Sequence, residues 1–178
     1  GQHQMWAAQH YFYDKPNTFI SSGGLGTMGF EVPAAMGAKV GRTDEIVWSI
    51  AGDGGFQMTM SELATMAENN IPAKIAILNN NSLGMVRQWQ QFFYEKEYVA
   101  SVYSGNPDFV KLAEAFGILG LRASRKEEVE SVIRAAMEHP GPVVVDFVVE
   151  PEENVFPMIP AGTSVAEMLE EPREAKIT

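Results

Sequence analysis

Gly52-Asp53-Gly54-Gly55-Phe56, then a helix-like stretch from Met58 to Asn69, an apolar run from Ile75 to Leu78, and then Asn79-Asn80-Asn81: this segment decides how the chain reads. Glycines around an aspartate make turns and a string of asparagines makes a loop, so neither end is informative alone. Their pairing is informative. If Ile46 to Ala51 and Ala73 to Leu78 are neighbouring parallel strands joined by one crossover helix, Asp53 and Asn80 meet at the carboxyl edge of a sheet, where open α/β sheets bind ligands. A carboxylate and an amide carbonyl are hard oxygen donors suited to Mg²⁺, which keeps octahedral geometry and shares phosphate oxygens. Glycines at 52, 54 and 55 let backbone N–H groups approach those phosphates with no Cβ in the way. The residues predict a metal-bridged diphosphate.

Strand and helix patterns alternate outward from this unit. On the N-terminal side, Met5 to Tyr13 reads as a short helix stopped by Asp14-Lys15-Pro16-Asn17, and Thr18 to Ser21 as a first strand. Phe30 to about Val40 is a small-residue helix. In the central unit Thr59 and Glu62 form a capping box, and Asn69-Asn70-Ile71-Pro72 ends the helix. Beyond it, Leu83 to Tyr94 is rich in aromatic and amide side chains. Asn106 reads as a helix cap with Pro107 in the first helical position, and Phe109, Leu112, Ala113 and Phe116 recur at helical spacing. Ile118 to Arg122 is a strand. Ser124 and Glu127 make a second capping box for a helix to Glu138, and Val143 to Val149 is the continuous apolar run of a buried parallel strand. This order predicts a three-layer, doubly wound parallel α/β sheet with helices on both faces. The acidic, proline-bearing tail from Glu150 to Thr178 reads as an extended arm outside the core.

A Gly-x-Gly-x-x-Gly at 24, 26 and 29 opens the Phe30 helix and invites a dinucleotide reading. That reading needs an acidic residue at the end of the second strand, roughly 20 residues on. Asp44 and Glu45 precede the strand, and Asp53, at the proper end, sits among glycines that suit a metal better than a ribose.

Bulk properties narrow the classes. A chain of 178 residues supports one domain with a real core. No apolar run approaches the ~18 to 20 residues that span a bilayer, and nothing at the start reads as a signal peptide. With no cysteine there is neither a disulfide framework nor a thiolate metal site, compatible with a cytoplasmic location. A formal charge of −10 argues against nucleic acid and anionic membranes, so a bound diphosphate needs local neutralisation by metal. The abrupt start at Gly1-Gln2-His3 reads as that of an excised C-terminal domain.

With Gly-Asp-Gly at 52 to 54, a spacer from Gly55 to Leu78 and an asparagine pair, the chain resembles the thiamin diphosphate enzymes. Gly1-Gln-His-Gln-Met-Trp-Ala-Ala-Gln9, Ser22-Gly-Gly-Leu-Gly-Thr-Met-Gly29 and Leu83-Gly-Met-Val-Arg-Gln-Trp89 narrow the resemblance to the catalytic subunit of the acetolactate (acetohydroxyacid) synthases. It covers residues 1–160, the cofactor-binding domain, with 161–178 left as an arm and two further domains preceding it in the family.

The resemblance implies thiamin diphosphate and Mg²⁺ as cofactors. Asp53, Asn80 and the backbone carbonyl of Ser82 would hold the ion. Gln2, His3, Gly52, Gly54, Gly55 and Gly84 would surround the diphosphate, Gly26 would offer its backbone to the aminopyrimidine, and Met28 would wedge beneath the thiazolium ring. Met85, beside the cofactor, and Trp89 would line the substrate channel. The implied reaction decarboxylates pyruvate and joins the remainder to a second pyruvate or to 2-oxobutanoate, in branched-chain amino acid biosynthesis. An activating glutamate would come from an N-terminal domain of a neighbouring subunit, so no catalytic set is complete in this chain. A homodimer or tetramer, a small regulatory subunit and an FAD held by another domain are further family features. Alternatives within the family are glyoxylate carboligase, pyruvate oxidase and sulfoacetaldehyde acetyltransferase; outside it, a non-catalytic cofactor-binding module.

Overall fold

A computed structural model describes residues 1–171. Four parallel strands, β1 (Trp48–Gly52), β2 (Lys74–Asn79), β3 (Leu119–Ala123) and β4 (Val143–Val148), form one sheet in the order β1-β2-β4-β3. The helices are α1 (Gln2–His10), α2 (Glu31–Gly41), α3 (Asp53–Thr59), α4 (Glu62–Glu68), α5 (Gly84–Phe93), α6 (Phe109–Ala115) and α7 (Lys126–Glu138).

The two central strands are apolar along nearly their whole length because both of their faces are covered. Alternate residues go to opposite sides. Ile75, Ile77 and Val144 join a core with Val32 and Met36 of α2, Phe56 of α3, Leu63 and Met66 of α4 and Phe109 of α6. Ala76, Val143, Val145 and Phe147 face the other way, onto Val129, Val132, Ile133 and Ala136 of α7. The doubly wound, three-layer expectation holds.

Several local expectations change. Thr18 to Ser21 forms no strand: Ile20 is 60% exposed and the segment lies outside the sheet, so the glycine triplet does not follow a sheet strand as a dinucleotide fold requires. The crossover from β1 to β2 is two short helices rather than one. The Thr59–Glu62 capping box does not form, because Thr59 is the last residue of α3 and its hydroxyl donates to the Gly29 carbonyl at 3.2 Å. Asp108, not Asn106, caps α6, accepting from Val110 N at 3.1 Å and Lys111 N at 3.3 Å. At α7 it is Glu128, rather than Glu127, that turns back to the N–H groups of Ser124 and Arg125, at 2.9 and 3.1 Å.

The tail is also more integrated than its prolines suggest. Val155 and Met158 are buried. Gln88 of α5, itself fully buried, accepts from Val155 N at 2.8 Å and donates to Val155 O at 3.0 Å, while Arg87 donates to Glu153 O and Asn154 Oδ1. These bonds satisfy polar groups that burial would otherwise penalise. Pro172 and the rest of the expected arm beyond it lie outside the described residues.

Candidate functional site

The sheet brings two chain reversals to one level. Gly52 at the end of β1 is in register with Leu78 of β2; α3 begins at Asp53, and Asn80 to Leu83 turn into α5. Asp53 is almost wholly buried. Its Oδ1 accepts the Gly54 N–H at 2.8 Å and its Oδ2 accepts Asn106 Nδ2 at 2.7 Å. Asn80 Oδ1 accepts from Ser82 N at 3.2 Å and Ser82 Oγ at 3.1 Å. Asn106 Nδ2 also donates to Asn79 Oδ1 at 2.8 Å, so one amide joins the Asp53 carboxylate to the strand end that leads into Asn80. The loop carrying it is pinned, since Tyr103 N donates to Asn81 O at 2.9 Å and Leu83 N to Ser101 O at 2.8 Å.

Burial pushes the Asp53 carboxyl above its ordinary range, and the bonds from Asn106 and Gly54 only partly offset it. Among the described residues Asp53 has no cationic partner, and such a buried carboxylate is a group that a divalent ion stabilises. The N-termini of α3 and α5 start at the same edge, and the positive ends of their helix dipoles favour an anion there. Among the described residues no three His, Cys, Asp or Glu side chains cluster as a metal cage. The donor set of one carboxylate, one amide and loop backbone leaves coordination positions for an ion that arrives with an anion's oxygens, as Mg²⁺ does.

Gly84 is where the elements close most tightly. A Cβ there would run into Gln2 Oε1 and come to 2.7 Å from Asn80 Nδ2. Gly84→Ala should therefore displace the Asn80 side chain and, if these donors take Mg²⁺, lower its affinity about tenfold or more with the fold retained, read by ion titration with circular dichroism as the fold check. An unchanged affinity would show that Asn80 can move without consequence.

The other expected residues divide. Gln2 is buried with its amide committed within the chain: Oε1 accepts from Asn80 Nδ2 at 3.1 Å, while Nε2 donates to Gln88 Oε1 at 2.9 Å and Glu153 O at 3.0 Å. It orients Asn80. His3 lies over Gly52, where a Cβ would come to 2.8 Å from its Nδ1, and its Nε2 meets Glu31 Oε1 at 2.7 Å. Gly55 adjoins the same carboxylate, its Cβ position lying 2.8 Å from Glu31 Oε1. Gly26 has φ +61, and Met28 is 41% exposed on the loop that Gly29 packs against Thr59 of α3. Met85 and Trp89, one helical turn apart on α5, line an open cleft of about 530 Å³ with Val86, Gln90, Tyr94, Glu97 and Val99.

Burial alone would raise Glu31, yet the hydrogen bond from His3 carries it below its ordinary 4.5. A carboxyl lowered in the folded state adds stability above its unfolded value, and that stability is lost as pH falls through the lowered one. Glu31→Gln should flatten the acid limb of the stability–pH curve below about pH 4.5, as followed by urea melts at stepped pH. A limb of unchanged slope would mean that the pair contributes nothing.

Sequence reasoning missed Asn106, Glu31 and Gln88. Glu31 sits on what reads as an ordinary helix start, Gln88 in an amide-rich helix, and Asn106 beside a proline that makes it look like a cap; no local signal marks any of them.

Residues 1–147 match the family described as "Thiamine pyrophosphate enzyme, C-terminal TPP binding domain", thiamine pyrophosphate being another name for thiamin diphosphate. The chain belongs to this family. Its relatives share the domain at high identity. The acetolactate synthase of Mycobacterium avium is 55% identical over 92% of this chain, and the acetolactate synthase isozyme 2 large subunit of Escherichia coli (strain K12) is 48% identical over 96%. The acetolactate synthase catalytic subunit, mitochondrial, of Saccharomyces cerevisiae is 46% identical over 95%. This TPP-binding domain spans 27%, 31% and 24% of those three proteins, so it is similar to one part of each.

Proposed function

We propose that this domain binds the diphosphate of thiamin diphosphate through Mg²⁺ and serves an acetolactate synthase that decarboxylates pyruvate and condenses the remainder with a second 2-keto acid. The observation that carries the reading is that one amide, Asn106 Nδ2, donates both to the buried Asp53 carboxylate at the end of β1 and to Asn79 Oδ1 at the end of β2, next to Asn80, at the carboxyl edge of a parallel sheet. The donor chemistry fits the ion. Asp53 and Asn80 would supply side-chain oxygens and Ser82 its carbonyl, and Gln2 would hold Asn80 in place. The N–H groups at the starts of α3 and α5, with His3 nearby, would meet the anionic oxygens.

The cofactor, when bound, supplies the reactive carbon and the electron sink. The chain's residues hold and orient it. Met28, exposed on a loop adjoining α3, would support the ring end, and the cleft along Met85 and Trp89 would admit the keto acid. The relatives are longer than this domain, and aromatic and aliphatic side chains stand exposed ahead of α2, Phe12 at 93% and Leu25 at 94%. Both facts support completion of the site by other domains and by a second subunit, with a small regulatory subunit as the name of the Escherichia coli relative suggests. Among the described residues no helix is long and apolar enough to cross a membrane.

Thermal melts test this reading. Thiamin diphosphate with Mg²⁺ should raise the melting temperature of the chain, and the chain alone should make no acetolactate from pyruvate. Stabilisation by NAD instead, or by neither ligand, contradicts the cofactor assignment. Turnover by the pure chain contradicts completion of the site from elsewhere.

A further inference from the structure

Asn106 stands out because its amide is used on every side. Nδ2 donates to Asp53 Oδ2 at 2.7 Å and to Asn79 Oδ1 at 2.8 Å, and Oδ1 accepts from Gln57 Nε2 at 3.0 Å. It thus ties the end of β1 to the end of β2 with one side chain. Its own backbone is held in turn. Two residues on, Asp108 caps α6 and accepts from Arg122 Nη2 at 2.7 Å, and Phe109 is fully buried against Phe56 of α3. From Asn79 the chain of bonds continues to Asp146 Oδ1 at 3.0 Å and from Asp146 Oδ2 to Arg122 Nε at 2.9 Å. Asn106 is therefore a fixed point, with support from α6 behind it and a buried carboxylate in front.

We infer that Asn106 is a positioning residue for the ion site: by donating to Oδ2 while Gly54 N–H donates to Oδ1, it fixes the plane of the Asp53 carboxylate and so the direction of the lone pair left for Mg²⁺. The inference rests on the functional reading above. Its physical basis is that a carboxylate ligand is only as well aimed as the hydrogen bonds on its oxygens, and loss of such an outer bond typically costs about 10- to 100-fold in metal affinity. Aim matters more for Mg²⁺, which demands near-ideal octahedral geometry, than for Ca²⁺, which accepts irregular shells. Removing Asn106 should therefore weaken Mg²⁺ more than Ca²⁺. A merely structural residue would weaken both alike.

The test uses the full chain with thiamin diphosphate present, reading Mn²⁺ binding by electron paramagnetic resonance and displacing it with Mg²⁺ or Ca²⁺. In Asn106→Ala the Mg²⁺ Kd should rise about 10- to 100-fold, and the preference for Mg²⁺ over Ca²⁺ should narrow. Gln57→Ala, which frees the other end of the same amide, should shift both quantities in the same direction by less, and it carries the test if Asn106→Ala does not fold. Unchanged Mg²⁺ affinity, or an equal loss for both ions, overturns the role of Asn106. Absence of ion binding by the unmutated chain overturns the ion site itself, and the inference with it.

Discussion

Replacing Asp53 by alanine is expected to abolish the Mg²⁺ dependence of thiamin diphosphate binding. A ligand at 100 times its Kd adds ~2.7 kcal/mol to stability, and a hundredfold weaker site leaves ~0.4 kcal/mol. For a domain of this size each kcal/mol moves the melting temperature by roughly 2–4 °C. The unmutated chain should thus gain about 5–10 °C from saturating cofactor and Mg²⁺, and Asp53→Ala about 1 °C. The loss is large because among the described residues no neighbouring side chain replaces the carboxylate: Asn80 and Asn106 are amides, Glu31 is paired with His3 and Asp146 with Arg122. Melts with and without Mg²⁺ decide it. Equal stabilisation of variant and parent would remove Asp53 from the site.

The second large effect falls on the fold beneath the site. Phe56 is fully buried on α3 and meets Phe109 of α6 edge to face, centroids 5.4 Å apart at 88°. Truncating a buried phenylalanine to alanine costs about 3–5 kcal/mol through lost burial and the cavity left behind. Phe56→Ala should lower the melting temperature by roughly 6–20 °C. Because α3 opens with Asp53 and the turn into α6 carries Asn106, loosening this contact should also lower ion affinity. Met58, on the same helix but 58% exposed, serves as control: Met58→Ala should stay within about 0.5 kcal/mol of the parent. A Phe56→Ala loss below about 1 kcal/mol would mean that the two helices are held by something else.

Much of this was legible in the sequence because it follows from periodicity and chain reversal. The Ile75–Leu78 and Val143–Val149 runs announce strands buried on both faces, and short connections then place Asp53 and Asn80 at the same end. What escaped was long-range. Thr59 lost its cap to a tertiary bond with Gly29, and Asn106 gave up a local capping role to reach Asp53 across 53 positions of sequence. Val155 and Met158 are buried because Gln88 holds their segment by its backbone, which no tail composition reveals. Local pattern gives elements and their order; side-chain amides that choose between near and distant partners are settled only by packing.

The most direct measurement is a crystal of the chain grown with Mn²⁺ and thiamin diphosphate, with the ion located by its anomalous scattering. The account predicts one strong peak in direct coordination with a carboxylate oxygen of Asp53 and the amide oxygen of Asn80, at distances of about 2.0–2.3 Å, near those of Mg²⁺. A peak elsewhere, or bound cofactor with no ion between these two side chains, would contradict it.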